Sequence, residues 1–405
     1  MRPKILFILP AFQKARGGGK KLVANLSLLL KECEKIIVLY DGTIEFPHEG
    51  KIISIHSLPT SNPFLKIFRF FIRIRKIKSI KRKEKPIISI SFMEGANVVN
   101  VLSSQGEKIM LSTHTDLSSF PVFKTFIGMV YKFLIRLLYK KANAVIAVSR
   151  GVAKSLLNLG VPKEKVKVIY NFIFLDEIRK KSKESIPSAF ENMEYIINVG
   201  RLSFPKGQWY LLRIFKEVKK EFPKLKLLIL GDGELKNFLI NYSQTLDLKT
   251  FVWDRDKLSN NFDVYFLGFQ ENPLKFISRS KFFALTSLWE GFSLILIEAL
   301  ACEVPVISSD CKSGPREILA PDTDFKIQTK EPEFAKYGIL MPVFDKKFKN
   351  PKSTLEEKEK QWVEVIKKLL SNEELRMKYA QQAKERAAYF DASNIGQEWI
   401  KIINI

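Results

Sequence analysis

The stretch Ser287-Leu-Trp-Glu-Gly-Phe-Ser-Leu-Ile-Leu-Ile-Glu-Ala-Leu-Ala-Cys-Glu-Val-Pro-Val-Ile-Ser-Ser-Asp310 decides how the rest of the chain is read. It follows an apolar run, Phe282-Phe-Ala-Leu285, of the kind that forms a parallel strand buried on both faces. Glu290-Gly291 interrupts that pattern. From Ser293, a good N-cap residue, the spacing of Leu294, Ile297 and Ala301 predicts a helix. Pro305 ends the helical region, and Val304-Pro-Val-Ile307 reads as the next short strand. A helix that starts beside a Gly turn presents free backbone N–H groups and the positive end of its dipole, which suits a diphosphate. Glu290 lies in the turn and Glu298 one to two helical turns deeper, so both can reach a crevice above the strand ends. Carboxylates beside phosphate are repulsive unless they serve hydroxyl groups, and ribose or sugar hydroxyls are the natural partners. The plainer reading is an ordinary strand–helix–strand crossover.

Glu290 and Glu298, the Ala-Leu-Ala that follows and Pro-Val-Ile-Ser-Ser closely resemble the donor-site signature of the family 4 glycosyltransferases. The resemblance implies an α/β chain of the GT-B fold, with two Rossmann-like domains facing each other across a cleft. It also implies transfer of a sugar from a nucleotide sugar with retention at the anomeric carbon. The donor-binding groups would be the backbone at Gly291, Phe292, Ser293 and Leu294, with Glu298 on the ribose hydroxyls and Glu290 on the donor sugar.

The rest of the chain is consistent with this frame. Ile5-Leu-Phe-Ile-Leu9 reads as a first strand and not a signal segment, because it is short and runs into Gly17-Gly18-Gly19 and a helical pattern through Leu22, Leu26, Leu29 and Leu30. The Gly spacing is neither a Walker loop nor a dinucleotide fingerprint. In the family a Gly-rich loop here faces the cleft, which makes Gly18 and Gly19 candidates; a mere tight turn is the alternative. Lys108-Ile-Met-Leu111 is a buried strand that ends in Ser112-Thr-His-Thr-Asp116, and His114 matches a family position near the donor sugar. Tyr195-Ile-Ile-Asn-Val-Gly200 restarts a strand and leads through Arg201-Leu-Ser-Phe-Pro-Lys-Gly207 into a helix. Two cations at such a turn form an obvious diphosphate clamp, and Arg201 and Lys206 match the family's pair. Phe269, after the strand ending at Gly268, matches the segment whose backbone holds the nucleobase. The loop Asp310-Cys-Lys-Ser-Gly-Pro-Arg316 departs from the commonest family loop and resembles the variant in transferases that extend lipid-diphosphate-linked glycans with N-acetylhexosamines; Arg316 adds a cation.

The expected organisation is an acceptor-binding domain over 1–171, a polar linker over 172–194, a nucleotide-sugar domain over 195–390 and a terminal helix over 391–405 that can cross back. The chain has 405 residues, a hydrophobic fraction of 46% and a net charge of +24, which calls for an anionic partner. Two helical stretches, Phe64 to Lys85 and Phe123 to Lys141, are both aromatic and basic. In the first, Phe64, Ile67, Phe68, Phe71 and Ile74 make a stripe, beside Arg69, Arg73, Lys76, Arg82 and Lys83. Such helices bind anionic membrane surfaces; a crossover helix with its stripe on the sheet and solvated charges is the alternative. No apolar run is long enough for a membrane span. The expected place is therefore cytoplasmic, peripheral on the inner leaflet of the plasma membrane, with a lipid-linked or glycan acceptor in bacterial polysaccharide, lipopolysaccharide or glycoprotein glycan assembly. Cys33, Cys302 and Cys311 are scattered, as in a reducing compartment, and with His48, His56 and His114 show no metal-ligand spacing. Asp254-Arg-Asp256 and Asp322-Thr-Asp324 imitate an Asp-x-Asp metal motif but read as turns. No metal or other cofactor is implied; the donor is a nucleotide sugar, a UDP-sugar by the resemblance. A nucleic-acid-binding protein and a GT-B-fold sugar-nucleotide epimerase are the competing readings. The chain has no nucleic-acid module, and its basic residues crowd helices beside Phe, so no nucleic-acid partner is expected.

Overall fold

The computed structural model describes residues 2–11, 18–42, 44–58, 60, 62–117 and 126–403. Gly17 and residues 123–125 lie outside them. The chain divides into two compact units, Met1–Phe172 with Ala392–Ile405, and Ile173–Asp391.

In the first unit seven described strands form one parallel sheet: β1 (Lys4–Leu9), β2 (Glu34–Leu39), β3 (Lys51–Ser54), β4 (Ile88–Phe92), β5 (Lys108–Thr113), β6 (Ala144–Ala147) and β7 (Val166–Val168). Their order is β3-β2-β1-β4-β5-β6-β7. The central strands are continuous apolar runs because helices cover both faces; every residue of β4 is buried, and so are five of the six residues of β1. The strand order reverses between β1 and β4, which opens a crevice at their C-terminal ends. The helix Gly18–Leu29 follows β1 and the helix Glu94–Leu102 follows β4.

The helix Pro63–Glu84 is capped by Asn62, whose side chain accepts from the amides of Phe64 and Leu65. Its packing face differs from the expected stripe. Phe70, Ile74, Ile77 and Ile80 lie against the core of the unit. Phe64, at 81% exposure, stands in solvent with Ile67, Phe68 and Phe71. The basic side chains are divided as well: Arg73 donates to Ser57 and lies 4.4 Å from the centre of the Tyr40 ring, and Lys76 donates to the carbonyl of Ile55. Lys81 is buried against Glu107 at 2.6 Å. The helix Phe126–Tyr139 buries Ile135, Leu138 and Tyr139 and exposes Met129, Val130, Phe133 and Leu137.

The second unit has β8 (Tyr195–Val199), β9 (Lys226–Leu230), β10 (Thr250–Val252), β11 (Val264–Phe266), β12 (Phe283–Leu285), β13 (Val306–Ser309), β14 (Glu333–Ala335) and β15 (Gly338–Met341). Among the described residues the order is β10-β11-β9-β8-β12-β13-β15-β14, parallel except for the antiparallel edge pair β14–β15. Its reversal falls between β8 and β12. The helix Gln208–Lys219 is bolted to the helix Glu357–Ser371 by a buried ion pair, Arg213 Nε to Glu359 Oε1 at 2.6 Å, with further bonds from Arg213 to Ser353 and Thr354.

The segment 172–194 is not a free linker. It carries the helix Leu175–Ser182, and Asn272 and Ser278 of the second unit donate to the carbonyls of Lys181 and Ser182. Phe190 stacks edge-on against Tyr265 and Phe276. Its polar surface is that of a short helix half-buried on its own unit. Asp254 and Asp256 lie at a turn, where Asp254 pairs with Lys236 and Asp256 accepts from the amide of Val252.

Candidate functional site

The second unit brings two of the sequence candidates into direct contact at its switch point. Lys206 follows β8 and Glu290 follows β12, and Nζ of Lys206 lies 2.6 Å from Oε1 of Glu290. Ser287 donates to the same oxygen, also at 2.6 Å. The two loops are stitched together by the backbone: Leu288 N donates to Pro205 O at 2.7 Å, and the Thr286 hydroxyl donates to Lys206 O at 3.0 Å. Gly207 makes this approach possible. Its φ is +61°, and a Cβ there would lie 2.5 Å from the carbonyl oxygen of Thr286. Behind the loops, Phe204 packs on Trp209 and Trp289, and Lys346 lies over the Trp289 ring. Aromatic rings thus pack together beside both loops. With 19% and 11% of the two side chains exposed, the Lys206–Glu290 pair is neither fully solvated nor sealed.

Arg201 takes a different direction. Its side chain is 53% exposed and pairs with Glu234 at 3.0 Å, so it stands on the same turn as Lys206 without joining the Lys206–Glu290 contact. The turn itself is fixed, since Gln208 donates to the Arg201 carbonyl.

The helix Leu294–Ala301 begins at Ser293, whose hydroxyl does not cap it and is buried without a partner. The first-turn amides of a helix have no intrahelical acceptors. Against this start packs the loop Ser313-Gly314, with φ of +65° and +102°; a Cβ on Gly314 would lie 3.1 Å from Cα of Phe292 and 3.3 Å from N of Ser293. Gly291, Phe292, Ser293 and Leu294 therefore lie beside a second tight backbone turn. The hydroxyl of Ser313 is also buried without a partner. Glu298 is buried, at 6% exposure, in the body of the helix. Phe269, 42% exposed, follows Gly268, whose carbonyl accepts from Gly231 N at 2.8 Å and so lies beside the end of β9.

Arg316 is occupied elsewhere. It is buried, with Nη2 2.7 Å from Asp310 Oδ2 and 2.6 Å from Glu333 Oε2, and it donates to Thr323. That triad fastens the end of the opening stretch to β14, and the guanidinium is turned toward these partners. Among the described residues no group of three or more His, Cys, Asp or Glu side chains is arranged to hold a metal ion.

In the first unit, the two candidates at the switch point meet. A Cβ on Gly19 would lie 3.0 Å from Nδ1 of His114. Nε2 of His114 is 3.0 Å from the Ser112 hydroxyl, and Nδ1 is buried without a partner. Burial pushes the His114 pKa down to about 4, so the ring is neutral near pH 7. Gly18 opens the same helix as Gly19.

Sequence reasoning passed over Ser287, Thr286 and Ser313-Gly314. The Ser-Leu-Trp-Glu spacing was a signal for the first, because a Ser three residues before a turn carboxylate is within reach of it. Gly314 next to Ser313 could have marked a left-handed turn.

The model for group 1 glycosyl transferases matches residues 179–339, and that for glycosyltransferase family 4 matches residues 16–177. An uncharacterized glycosyltransferase of Methanocaldococcus jannaschii is 34% identical over 390 residues, 91% of this chain and 92% of that one. The Campylobacter jejuni N-acetylgalactosamine-N,N'-diacetylbacillosaminyl-diphospho-undecaprenol 4-alpha-N-acetylgalactosaminyltransferase is 30% identical, with 96% of each chain covered. Among solved structures, Anabaena HepE in complex with UDP-glucose superimposes with a TM-score of 0.71 over 99% of each chain at 17% identity. Two parallel α/β units, the Lys206 turn beside the Glu290 turn and these relatives together make the chain a glycosyltransferase of family 4, with the GT-B fold.

Proposed function

We propose that this glycosyltransferase moves a hexose or N-acetylhexosamine from a UDP-sugar to a membrane-associated, lipid-diphosphate-linked or glycan acceptor, with retention and without a metal requirement. The observation that carries the reading is the Lys206–Glu290 contact at the β8/β12 switch point. The diphosphate is bound by Lys206, by the more exposed charge of Arg201 and by the amides from Gly291 to Leu294. Glu298 serves the ribose hydroxyls and the backbone at Phe269 the base. Arg316 acts indirectly, by holding Asp310 and the loop against Ser293.

Glu290 has two tasks. It steadies Lys206 and, through its second oxygen, orients donor-sugar hydroxyls. His114 of the first unit, as a neutral imidazole, can donate to or accept from a sugar hydroxyl. As the bond from the anomeric carbon to the phosphate oxygen breaks, positive charge grows on the sugar ring and negative charge on the diphosphate. Fixed cations and helix amides stabilise the leaving group without reorganising. The acceptor hydroxyl bonds to the anomeric carbon on the face the diphosphate leaves. Its proton passes to a phosphate oxygen, UDP departs, and no carboxylate need act as nucleophile.

The acceptor class rests on the Campylobacter enzyme, which uses a diphospho-undecaprenol acceptor, and on the first unit's exposed apolar residues. Phe64, Ile67, Phe68 and Phe71, with Met129, Phe133 and Leu137, suit the boundary of a lipid leaflet, with Lys66, Arg75, Arg82 and Lys83 near anionic headgroups. On this reading the enzyme works at the inner leaflet of the plasma membrane, in polysaccharide, lipopolysaccharide or glycoprotein glycan assembly. No described helix is long and apolar enough to cross a membrane. Incubation with UDP-glucose, UDP-galactose, UDP-N-acetylglucosamine and UDP-N-acetylgalactosamine, followed by UDP release, tests the reading. One donor should be consumed, and Glu290→Gln should lower its turnover while leaving UDP affinity nearly intact. Consumption of none of the four contradicts it.

A further inference from the structure

We propose that the second unit carries its own contact for an anionic lipid surface, the loop from Asp345 to Thr354, acting through Lys347, Phe348 and Lys352. The inference rests on the membrane part of the proposed function and adds a contact outside the helices which that reading uses. β15 runs parallel to β13, β13 to β12 and β12 to β8, so the chain leaving Met341 emerges at the same sheet end as the Lys206 and Glu290 turns. The loop packs beside both turns. The Phe348 ring lies 5.0 Å from that of Phe204 and 4.7 Å from that of Trp209, and Lys346 lies 5.0 Å from the centre of the Trp289 ring.

The loop holds neither helix nor strand, yet its backbone is anchored. Its carbonyls are taken up by side-chain donors of two helices. From the helix Gln208–Lys219, Trp209 donates to the carbonyl of Lys347 at 3.2 Å, Tyr210 to that of Asp345 at 2.8 Å and Arg213 to that of Thr354 at 2.9 Å. From the helix Lys236–Thr245, Tyr242 donates to the carbonyl of Lys349 at 2.8 Å. With the backbone tied down in this way, Lys347, Phe348 and Lys352 are all exposed, Phe348 at 47% in spite of its ring neighbours. A surface ordered before binding is spared the entropy of being ordered on contact.

The charge selects the partner. From Asp345 to Lys352 the loop has four lysines and one acid. The acids nearby are already neutralised: Asp345 lies 3.7 Å from Lys349 and 3.6 Å from Lys358, and Glu356 pairs with Lys349. Lys347 and Lys352 have no ion pair among the described residues. The amides of Phe348, Lys349 and Asn350 have no acceptor among them either, so donors as well as charge are left for phosphate oxygens. An exposed phenyl ring between unpaired lysines matches the boundary of an anionic leaflet, where the ring enters the headgroup layer and the ammonium groups meet phosphates. Single-stranded nucleic acid is also drawn to lysines and rings, but it stacks successive bases on successive aromatic side chains, and Phe348 is the loop's single ring.

Co-sedimentation of the full chain with vesicles of phosphatidylcholine alone, and of phosphatidylcholine with phosphatidylglycerol, tests the contact. Lys347→Ser with Lys352→Ser leaves the ring packing untouched and should weaken binding to the anionic vesicles about tenfold or more. Phe348→Ser should weaken it as well. UDP affinity without vesicles, measured by calorimetry, should equal that of wild type in the double lysine variant. Anionic-vesicle binding equal to wild type in that variant overturns the proposal, and the first unit's face then stands or falls by its own Phe64, Phe68 and Phe71 changes. A loss confined to the loop variants supports the proposal and removes the first-unit contact. Absence of anionic-vesicle binding in wild type overturns both. An oligonucleotide that binds wild type and not the lysine variant, with vesicle binding unaltered, assigns the loop to nucleic acid and overturns the proposal. If Phe348→Ser does not fold, the lysine variant decides. Loss of UDP binding in wild type would strike the donor reading alone, because pelleting reads the surface separately.

Discussion

Replacing Lys206 by alanine removes the one cation that the second unit holds in contact with Glu290. Two consequences follow from the 2.6 Å contact and its partial burial. Glu290 keeps Ser287 as a donor but loses its charge partner. The carboxylate is still in touch with water, so the stability cost is modest, about 1–2 kcal/mol. A bound diphosphate loses a charge-assisted bond of about 1.5–3 kcal/mol, which weakens UDP roughly 10- to 150-fold. Glu290→Gln separates the two effects. It keeps the side-chain shape but releases Lys206 from competition between carboxylate and diphosphate, so UDP should bind as tightly as in wild type or more tightly. Calorimetric titration of UDP into wild type, Lys206→Ala and Glu290→Gln, with thermal unfolding of each, measures both quantities. Unchanged UDP affinity in Lys206→Ala would refute the role given to this lysine, and a large loss in Glu290→Gln would show that the carboxylate, not the lysine, carries the affinity.

Arg201→Ala should weaken UDP by less than Lys206→Ala, because the arginine is half exposed and shared with Glu234; an effect larger than that of Lys206→Ala would reverse the ranking. Vesicles containing anionic lipid should pellet the protein and neutral ones should not, and changing Phe64, Phe68 and Phe71 together to Ser should reduce pelleting. Equal pelleting with both lipids, or with neither, counts against the surface. Two titrating groups at the strand ends of the first unit, each with one buried polar atom, should pull stability in opposite directions with pH. His114, depressed to about 4, lets the unfolded chain take the extra proton between pH 4 and 6.5, so its contribution rises with pH across that window. Glu94, raised to about 7, keeps a proton that the unfolded chain loses near pH 4.5, so its contribution falls as pH rises to 7. In urea unfolding across pH 4 to 7, the slope of stability with pH should be lower than wild type in His114→Gln and higher than wild type in Glu94→Gln, each by at most about 1.4 kcal/mol per pH unit; identical slopes in the two variants would contradict the assignment.

Strands near the middle of both sheets were legible because parallel strands buried on both faces are bare apolar runs, as at Lys4–Leu9 and Tyr195–Val199, whereas the short strands Thr250–Val252, Glu333–Ala335 and Gly338–Met341 were not read. The Lys206 and Glu290 turns were legible because glycine and proline punctuate them and the charges stand alone. What escaped depended on partners distant in sequence. Arg316 is spent on Asp310 and Glu333, and no local pattern marks a triad spanning 24 residues. The helix Leu175–Ser182 is mostly polar, and its docking on the helices Leu274–Ile277 and Leu294–Ala301 makes it part of the second unit. On the helix Pro63–Glu84 the apolar residues nearly surround the axis, so periodicity could not say which of Phe70 and Phe71 faces inward.

Proton NMR of the product formed from a UDP-α-sugar and an undecaprenyl-diphosphate-linked N-acetylhexosamine, run in the presence of EDTA, tests the central claim most directly. Turnover should continue and the new linkage should carry the small anomeric coupling of an α-glycoside; a β-linked product, or activity that EDTA abolishes and Mn²⁺ restores, would contradict the mechanism.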